Sequence, residues 1–135
     1  MRVILDTNVL MSAIFFDGIP GEILTATKSG RISLVLSPSI LEEYQEVAKR
    51  LSLRFHVEYG DILEWITVRS EMIADTSMKT QVCDDPDDEK FIAAALASKA
   101  KIICSGDKHL LDVDDYKGIV VLKPKPFSDK YLKTK

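Results

Sequence analysis

Near its amino terminus the chain reads Arg2-Val3-Ile4-Leu5-Asp6-Thr7-Asn8. Three consecutive aliphatic residues without polar alternation are typical of a strand that is buried on both faces, as in the middle of a parallel sheet. An apolar stretch over residues 9–16 then predicts a helix that begins directly after the strand. The segment therefore predicts a central strand over residues 2–6 that ends at a carboxylate, Asp6.

The remaining sequence repeats this alternation of strands and helices. The other predicted strands are residues 32–36, 101–104 and 118–122, with a brief strand at Ile73-Ala74. The other predicted helices are residues 20–29, 38–51, 57–72 and 86–99. Such alternation is typical of an α/β fold with a mainly parallel central sheet. Because ligands of these sheets bind beyond the carboxyl ends of the strands, the residues just after each strand are the candidates for function.

Composition limits what the chain can be. Its 135 residues are 46% hydrophobic and 29% charged, which is enough for one buried core and too little for two domains. No apolar run approaches the roughly 20 residues of a membrane span. An acidic residue as early as Asp6 interrupts a signal-peptide core, so we expect a cytoplasmic chain.

Charge and cysteine content narrow the choice further. The formal net charge of −3 excludes a generally basic nucleic-acid coat protein, so any nucleic acid must be bound at a local site. The two cysteines, Cys83 and Cys104, do not have the spacing of metal ligands. We expect both to be buried free thiols, with one disulfide as the alternative.

Two acids directly follow predicted strands. Asp6 ends the first strand, and Asp107 follows the strand at residues 101–104 within the segment Ser105-Gly106-Asp107. Each could simply cap the helix that begins after it, because aspartate is a favoured N-cap residue. Position alone therefore leaves a capping role and a functional role open for both.

Two further acids lie at or beside the apolar face of a predicted helix. At about 100° per residue, Glu43 borders the apolar stripe of helix 38–51, whereas Glu42 falls on the solvent side. Asp88 falls in the middle of the apolar stripe of helix 86–99, and Asp87 falls beside it. Glu43 and Asp88 are therefore expected to face the body of the protein, where a carboxylate is costly unless it is paired or bound to metal. Glu43 could instead be a surface residue that extends to solvent, and Asp88 could instead belong to a capping box. Asp85 fits an N-cap before Pro86.

The parallel sheet predicts that Asp6, Glu43, Asp88 and Asp107 meet at one edge. Like charges that close destabilise the fold, and a divalent cation removes that cost. Oxygen ligands favour Mg²⁺ or Mn²⁺, whereas the isolated histidines disfavour Zn²⁺. Such an ion can activate water and neutralise a leaving oxygen, which is the chemistry of phosphodiester hydrolysis.

These segments together resemble the PIN-domain family, close to the VapC-type toxins of toxin–antitoxin systems. The resemblance covers essentially the whole chain and rests on the order and spacing of four motifs. They are Val3-Ile4-Leu5-Asp6-Thr7-Asn8-Val9, Ser37 with Leu41-Glu42-Glu43-Tyr44, Asp85-Pro86-Asp87-Asp88-Glu89-Lys90-Phe91, and Ser105-Gly106-Asp107-Lys108-His109-Leu110-Leu111.

The resemblance implies one PIN-like domain over residues 1–135, with a three-layer α/β/α fold and a mainly parallel sheet. It implies a metal-dependent endoribonuclease whose catalytic and metal-binding residues are Asp6, Glu43, Asp88 and Asp107. Asn8, Ser105 and Asp85 fall at supporting positions, and the helical wheel favours Asp88 over Asp85 and Asp87 as the metal ligand. VapC-type proteins are usually homodimers held inactive by an antitoxin, so the implied partners are RNA, an antitoxin and a second copy of the chain.

Basic residues near these motifs are candidates for contacts with RNA phosphates. Lys90 and Lys108 adjoin motif acids, and Arg50 lies on the same predicted helix as Glu43. Each of them could instead be an ordinary solvated surface charge.

Two other classes of function compete with a nuclease. One is a non-catalytic PIN-like interaction module, which need not bind Mn²⁺. The other is a Mg²⁺-dependent phosphatase with Asp6 as nucleophile. Those enzymes typically carry a second aspartate two residues after the nucleophile, where this chain has Asn8. A phosphatase would release inorganic phosphate from a monoester, whereas a nuclease would cut within an RNA chain.

Overall fold

Five strands form one open sheet in the computed structural model, which describes residues 1–75 and 85–133. They are β1 (Arg2–Leu5), β2 (Ser33–Leu36), β3 (Glu71–Met72), β4 (Ile102–Cys104) and β5 (Val120–Leu122). Their order across the sheet is β3-β2-β1-β4-β5, and every neighbouring pair is parallel. The predicted parallel α/β fold is therefore confirmed.

Helices flank this sheet and complete a three-layer α/β/α arrangement. They are α1 (Thr7–Phe15), α2 (Gly18–Lys28), α3 (Pro38–Phe55), α4 (Gly60–Arg69), α5 (Glu89–Ser98), α6 (Lys108–Leu111) and α7 (Pro124–Phe127). Short 3₁₀ turns lie at Pro86–Asp88 and Tyr116–Gly118, and a π-helical turn at Ser128–Leu132. Within the described ranges no single helix is long and apolar enough to cross a membrane, and α1 and α2 reach that length only as a pair bent by 91°.

Strand β1 is the centre of the core. It pairs with β2 on one side and with β4 on the other, in the register Val3–Leu34 and Ile4–Ile103. Val3, Ile4 and Leu5 are at most 1% exposed. The aliphatic run therefore forms a strand that is covered on both faces, as the sequence predicts.

Helix α3 is attached to the end of β1. Ser37 caps the helix by accepting a hydrogen bond from the Ile40 amide (3.3 Å), and Pro38 occupies its first turn. One turn further on, the fully buried Tyr44 donates its hydroxyl to the backbone carbonyl of Leu5. This bond joins α3 to β1 one residue before Asp6.

The boundaries of the α4 region differ from the prediction. The helix predicted over 57–72 ends at Arg69, because the backbone amide and hydroxyl of Ser70 both donate to the Ile66 carbonyl and the chain then becomes extended. The strand predicted at Ile73-Ala74 accordingly lies two residues earlier, at β3. The Ile73 amide still donates to the Leu36 carbonyl (2.8 Å) and continues the pairing.

Other differences arise at helix ends. Helix α1 begins at Thr7, α2 begins at Gly18, and α3 runs four residues beyond the predicted end to a left-handed residue, His56. The predicted helix over 86–99 opens as a 3₁₀ turn, because the Asp85 side chain caps the Asp87 amide (3.0 Å). Cys104 is a buried free thiol, and Cys83 lies outside the described residues.

Substituting Tyr44 with phenylalanine should lower the free energy of unfolding by about 1–3 kcal/mol, because the buried Leu5 carbonyl loses its donor. Urea denaturation would measure this change. Tyr59→Phe is the matched control, since Tyr59 is only partly buried, and should stay within about 0.5 kcal/mol of the wild type. Equal stabilities for Tyr44→Phe and the wild type would contradict the proposed attachment of α3 to β1.

Candidate active site

The first predicted acid, Asp6, lies at the carboxyl end of the central strand. Its amide donates to the Cys104 carbonyl (3.0 Å), and its own carbonyl accepts from the amides of Val9 and Leu10, so the residue is fixed by the sheet and by α1. The carboxylate is 5% exposed and does not cap the helix. It accepts instead from the Ser105 hydroxyl, at 2.8 Å. Asp6 is thus the N-cap residue of α1 by position, without a side-chain capping bond.

Ser105 connects two of the predicted acids. It is fully buried, and its amide donates to the Leu122 carbonyl (2.9 Å) in the neighbouring strand. Its hydroxyl donates to Asp6 and accepts from the amide of Asp107 (2.9 Å). A single serine thus fixes the side chain of one acid and the backbone of the other.

Asp107 caps α6 and also faces another acid. Its Oδ1 accepts from the His109 amide, at 3.1 Å. Asp88 is close enough to donate a hydrogen bond to Asp107 when it is protonated, and this bond, followed by the His109 amide, lowers the pKa of Asp107. The capping role predicted for Asp107 is confirmed, and it coexists with contact to Asp88.

Asp88 is the most strongly perturbed acid of the cluster. It lies where the 3₁₀ turn meets α5 and is 8% exposed, whereas the adjacent Asp87 is exposed. Burial first, and then Asp107, Asp6 and Asp85, raise the pKa of Asp88 to about 8. Its Oδ2 is buried and has no hydrogen-bond partner. The helical-wheel prediction that Asp88 faces the protein body is confirmed.

Burial and neighbouring charge act on Asp6 in the same direction. Burial raises the pKa of Asp6, the Ser105 hydroxyl partly offsets this, and Asp107 and Glu43 add to the rise. Charge repulsion therefore links Asp6, Asp88 and Asp107, three acids from three separate segments of the chain. An acid cluster of this kind is a common feature of functional sites.

Glu43 lies at the border of the cluster with its own partners. Thr7 donates its hydroxyl to Oε2, and the Lys90 ammonium lies 2.6 Å from Oε1. Glu43 is half-buried and Glu42 is exposed, as the wheel predicts. Thr7 was missed by sequence reasoning, and its position as the first residue of the helix after Asp6 is the signal that could have indicated it.

The remaining predicted residues have varied surroundings. Asn8 is exposed on α1, so its supporting role stays a prediction. Asp85 caps the 3₁₀ turn. Lys108 is exposed beside Asp107, and Arg50 is exposed about 10 Å along α3 from Glu43. Lys90 is not a free cation, because it is paired with Glu43.

The side chains of the four acids have the ligand chemistry of the divalent ion that the sequence predicts, but not its coordination geometry. All four acids offer oxygen ligands, which suits Mg²⁺ or Mn²⁺, and the unpartnered Oδ2 of Asp88 leaves one such atom unsatisfied. Over residues 1–75 and 85–133, however, no three acid, histidine or cysteine side chains are close enough together to hold an ion. The chemistry of the residues fits a metal, and its coordination is not preformed.

An open parallel sheet with carboxylates beyond the ends of its strands defines an α/β protein with an acidic site. Within that class, the family model described as the PIN domain matches residues 2–109, and the chain belongs to the PIN-domain family. PIN domains are generally nucleases, and the family typically uses divalent metal ions.

Two further comparisons found similar proteins. An uncharacterized protein of Methanocaldococcus jannaschii, MJ1680, is 40% identical over 121 residues, which cover 85% of this chain and 76% of that protein. The fold is similar to a structure of VapBC2 from Rickettsia felis bound to a DNA fragment from the promoter of that pair. That likeness has a TM-score of 0.55 and 15% identity, and it covers 91% of this chain and 98% of the other.

Replacing Asp88 with asparagine should stabilise the metal-free protein above neutral pH. The pKa of Asp88 is about 8 in the folded chain and about 3.8 in the unfolded chain. Between about pH 4 and 8 the folded chain therefore binds more protons than the unfolded chain. Stability should therefore fall as the pH rises from about 4 to 8, and Asp88→Asn should remove part of that fall. We expect its melting temperature near pH 8 to exceed the wild type by about 3–6 °C.

Thermal melting in EDTA across this pH range would measure the effect. Asp87→Asn is the matched control, because Asp87 is the exposed neighbour in the same turn, and it should follow the wild-type profile. An Asp88→Asn profile parallel to the wild type would show that Asp88 does not carry the raised pKa.

Proposed function

We propose that the protein is a metal-dependent endoribonuclease that hydrolyses RNA phosphodiester bonds and is the toxin component of a toxin–antitoxin system. The observation that carries the proposal is the set of links among three aspartates: Ser105 joins Asp6 to Asp107, and Asp107 acts in turn on the buried Asp88, whose Oδ2 has no hydrogen-bond partner. Membership of a family whose members are generally nucleases supports it.

The three aspartates are the residues proposed to hold Mg²⁺ or Mn²⁺. When bound, such an ion supplies Lewis-acid stabilisation of negative charge on phosphate and lowers the pKa of a water ligand. Before it binds, Asp88 keeps its proton at neutral pH, because burial and Asp107 disfavour the second negative charge. Ser105 orients the Asp6 carboxylate, so this oxygen donor is positioned in advance.

Glu43 is proposed as the fourth acid of the catalytic set. It lies close enough to Asp6 to raise the pKa of that residue, and Thr7 and Lys90 fix its orientation. A carboxylate held at the edge of the aspartate cluster can accept a hydrogen bond from the attacking water. Lys108, exposed beside Asp107, and Arg50 are proposed contacts for RNA phosphates.

The assignment to toxin–antitoxin systems rests on likeness. VapBC2 is the fold relative described above, and the motif order resembles VapC-type toxins. We therefore propose an antitoxin protein as the natural partner, a homodimer as the assembly and the cytoplasm as the location.

Cleavage of end-labelled RNA tests the nuclease. Internal cuts should occur with Mn²⁺ or Mg²⁺ and disappear in EDTA. Asp88→Asn should cut about 100-fold more slowly or worse, because losing metal stabilisation costs several kcal/mol in the transition state. Asp87→Asn and Glu42→Gln are matched controls at exposed neighbouring acids, and both should stay within about threefold of the wild type.

Three outcomes would contradict the proposal. Full activity in Asp88→Asn would remove Asp88 from the site. Release of inorganic phosphate from a monoester without internal cuts would indicate a phosphatase. Absence of both cleavage and Mn²⁺ binding would favour a non-catalytic interaction module.

The toxin role has a separate test. Induced expression of the wild-type chain in a bacterial host should arrest growth, and the same level of Asp88→Asn should not, because arrest requires RNA cleavage. Growth curves with immunoblots of both proteins would measure this. Normal growth with a wild-type chain that cleaves RNA after purification would refute the toxin role and leave the nuclease intact.

A further inference from the structure

The charges of the chain are distributed unevenly along the sheet. Residues 37–75, which include α3, α4 and the edge strand β3, contain eight acidic side chains and four lysines or arginines. Residues 117–133, which include the opposite edge strand β5 and the turns on either side of it, contain five lysines and one aspartate. A phosphate backbone is therefore attracted toward β5 and repelled from the region of α3 and α4.

Lys123 brings this positive charge to the carboxyl edge of the sheet. It is the first residue after β5, and the Leu122 carbonyl just before it accepts a hydrogen bond from the Ser105 amide (2.9 Å). The Ser105 hydroxyl in turn donates to Asp6 (2.8 Å). Because neighbouring strands lie about 5 Å apart, the backbone of Lys123 is roughly one strand spacing from Ser105. A lysine at this point can reach a phosphate next to the one at the aspartates.

The backbone of Lys123 is fixed, although its side chain is exposed. Its carbonyl accepts a hydrogen bond from the Phe127 amide (2.9 Å), and the Phe127 side chain is fully buried. The next residue, Ser128, donates its hydroxyl to Glu22 of α2 (2.7 Å). The turn after β5 is therefore attached both to the core and to α2, and Lys123 extends from a packed surface.

Two lysines near the three aspartates have no acidic partner. In the part of the chain that the structure describes, neither Lys108 nor Lys123 forms an ion pair, and both side chains are exposed. On the other side of the site, here called the glutamate side, Lys90 is already paired with Glu43. Lys108 and Lys123 are thus available to phosphate on the side of the three aspartates, the aspartate side, which faces β5.

Further lysines continue along the segment that follows β5. Lys125 and Lys133 each lie 3.4 Å from a carboxylate oxygen of Asp129, and all three side chains are about half exposed or more. Such exposed pairs contribute little to stability, so they can exchange for other partners. The Lys130 ammonium lies 5.3 Å from the centre of the Tyr131 ring. The positive surface therefore extends from β5 along α7 and the π-helical turn, with Asp129 as its internal counterion.

We infer that an RNA strand leaves the acidic site across the end of β5 and continues along α7, with Lys123 as a phosphate contact and Asp129 as a charge that limits affinity. This inference rests on the proposed nuclease function and specifies the path of its substrate. Contacts to phosphate fix the position of a strand without reading its bases. Lys123 is accordingly a substrate-binding residue that takes no part in proton transfer.

Fluorescence anisotropy with a labelled single-stranded oligouridine in EDTA measures binding without metal-dependent cleavage. Lys123→Gln should weaken binding about three- to tenfold at low salt and reduce the slope of log affinity against log salt by about 0.7, the loss of one phosphate contact. Lys49→Gln is the matched control, because it removes one exposed lysine charge from α3. It should stay within about twofold of the wild type, since charges distant from the strand are screened.

Asp129→Asn should act in the opposite direction. It should tighten binding about threefold, because Lys125 and Lys133 lose their counterion and become available to phosphate. Asp61→Asn is the matched control, since it removes one exposed acid from α4, and it should stay within about twofold of the wild type. A gain in affinity is a result that a folding defect does not produce.

Cleavage with Mn²⁺ separates this inference from the proposed function. Lys123→Gln should raise KM more than it lowers kcat, because it weakens the binding of RNA. Equal affinities for Lys123→Gln and Lys49→Gln, or no gain in Asp129→Asn, would overturn the inference and leave the nuclease proposal standing. The expected affinities without cleavage by the wild type would support the path and refute the nuclease. Absence of both RNA binding and cleavage would overturn both.

Discussion

Burial of strand β1 on both faces is the constraint on which the site depends. A strand between two parallel neighbours with apolar residues on both sides cannot slip in register without exposing Val3 or Leu5 to solvent or breaking its ladder. Its end is fixed further by the bond from Tyr44 to the Leu5 carbonyl and by the bond from the Asp6 amide to β4. The Asp6 carboxylate therefore leaves the core at a point fixed by the whole sheet.

Burying several carboxylates near this position is unfavourable, because their charges lose solvation and repel one another. The fold reduces this unfavourable energy in two ways. Around Asp88 the cost is reduced by protonation, since burial and Asp107 raise the pKa of Asp88 to about 8. Around Glu43 it is reduced by a lysine and a hydroxyl from neighbouring helices. Protonation can be reversed by a divalent cation, whereas the ammonium of Lys90 is part of the chain. The proton on Asp88 can therefore be replaced by a cation from solvent, whereas the ammonium that neutralises Glu43 cannot be.

The fold and the burial of several candidate acids could be predicted from the sequence, because both depend on the spacing of apolar residues along strands and helices. The aliphatic run of β1 indicated a central strand, and the helical wheel separated Asp88 from Asp87 and Glu43 from Glu42. The contacts of Thr7 and Lys90 with Glu43 could not be predicted in this way. Thr7 is 36 residues and Lys90 is 47 residues from Glu43 in the sequence, and both contacts depend on how the helices pack. The start of β3 was misplaced for a local reason, since side-chain bonding of Ser70 ends α4 early.

The contrast between Asp88 and Lys90 follows from their places on one helix. Asp88 lies immediately before α5, on the line of the buried Phe91 and Ile92, so its carboxylate is directed toward the core. Lys90, two residues later, is turned by about 200° and meets α3 instead. The start of α5 thereby brings an acid of raised pKa to the aspartate side and a lysine to the glutamate side. The asymmetry of charge across the site is consequently a property of helical geometry and does not require any additional element of the fold.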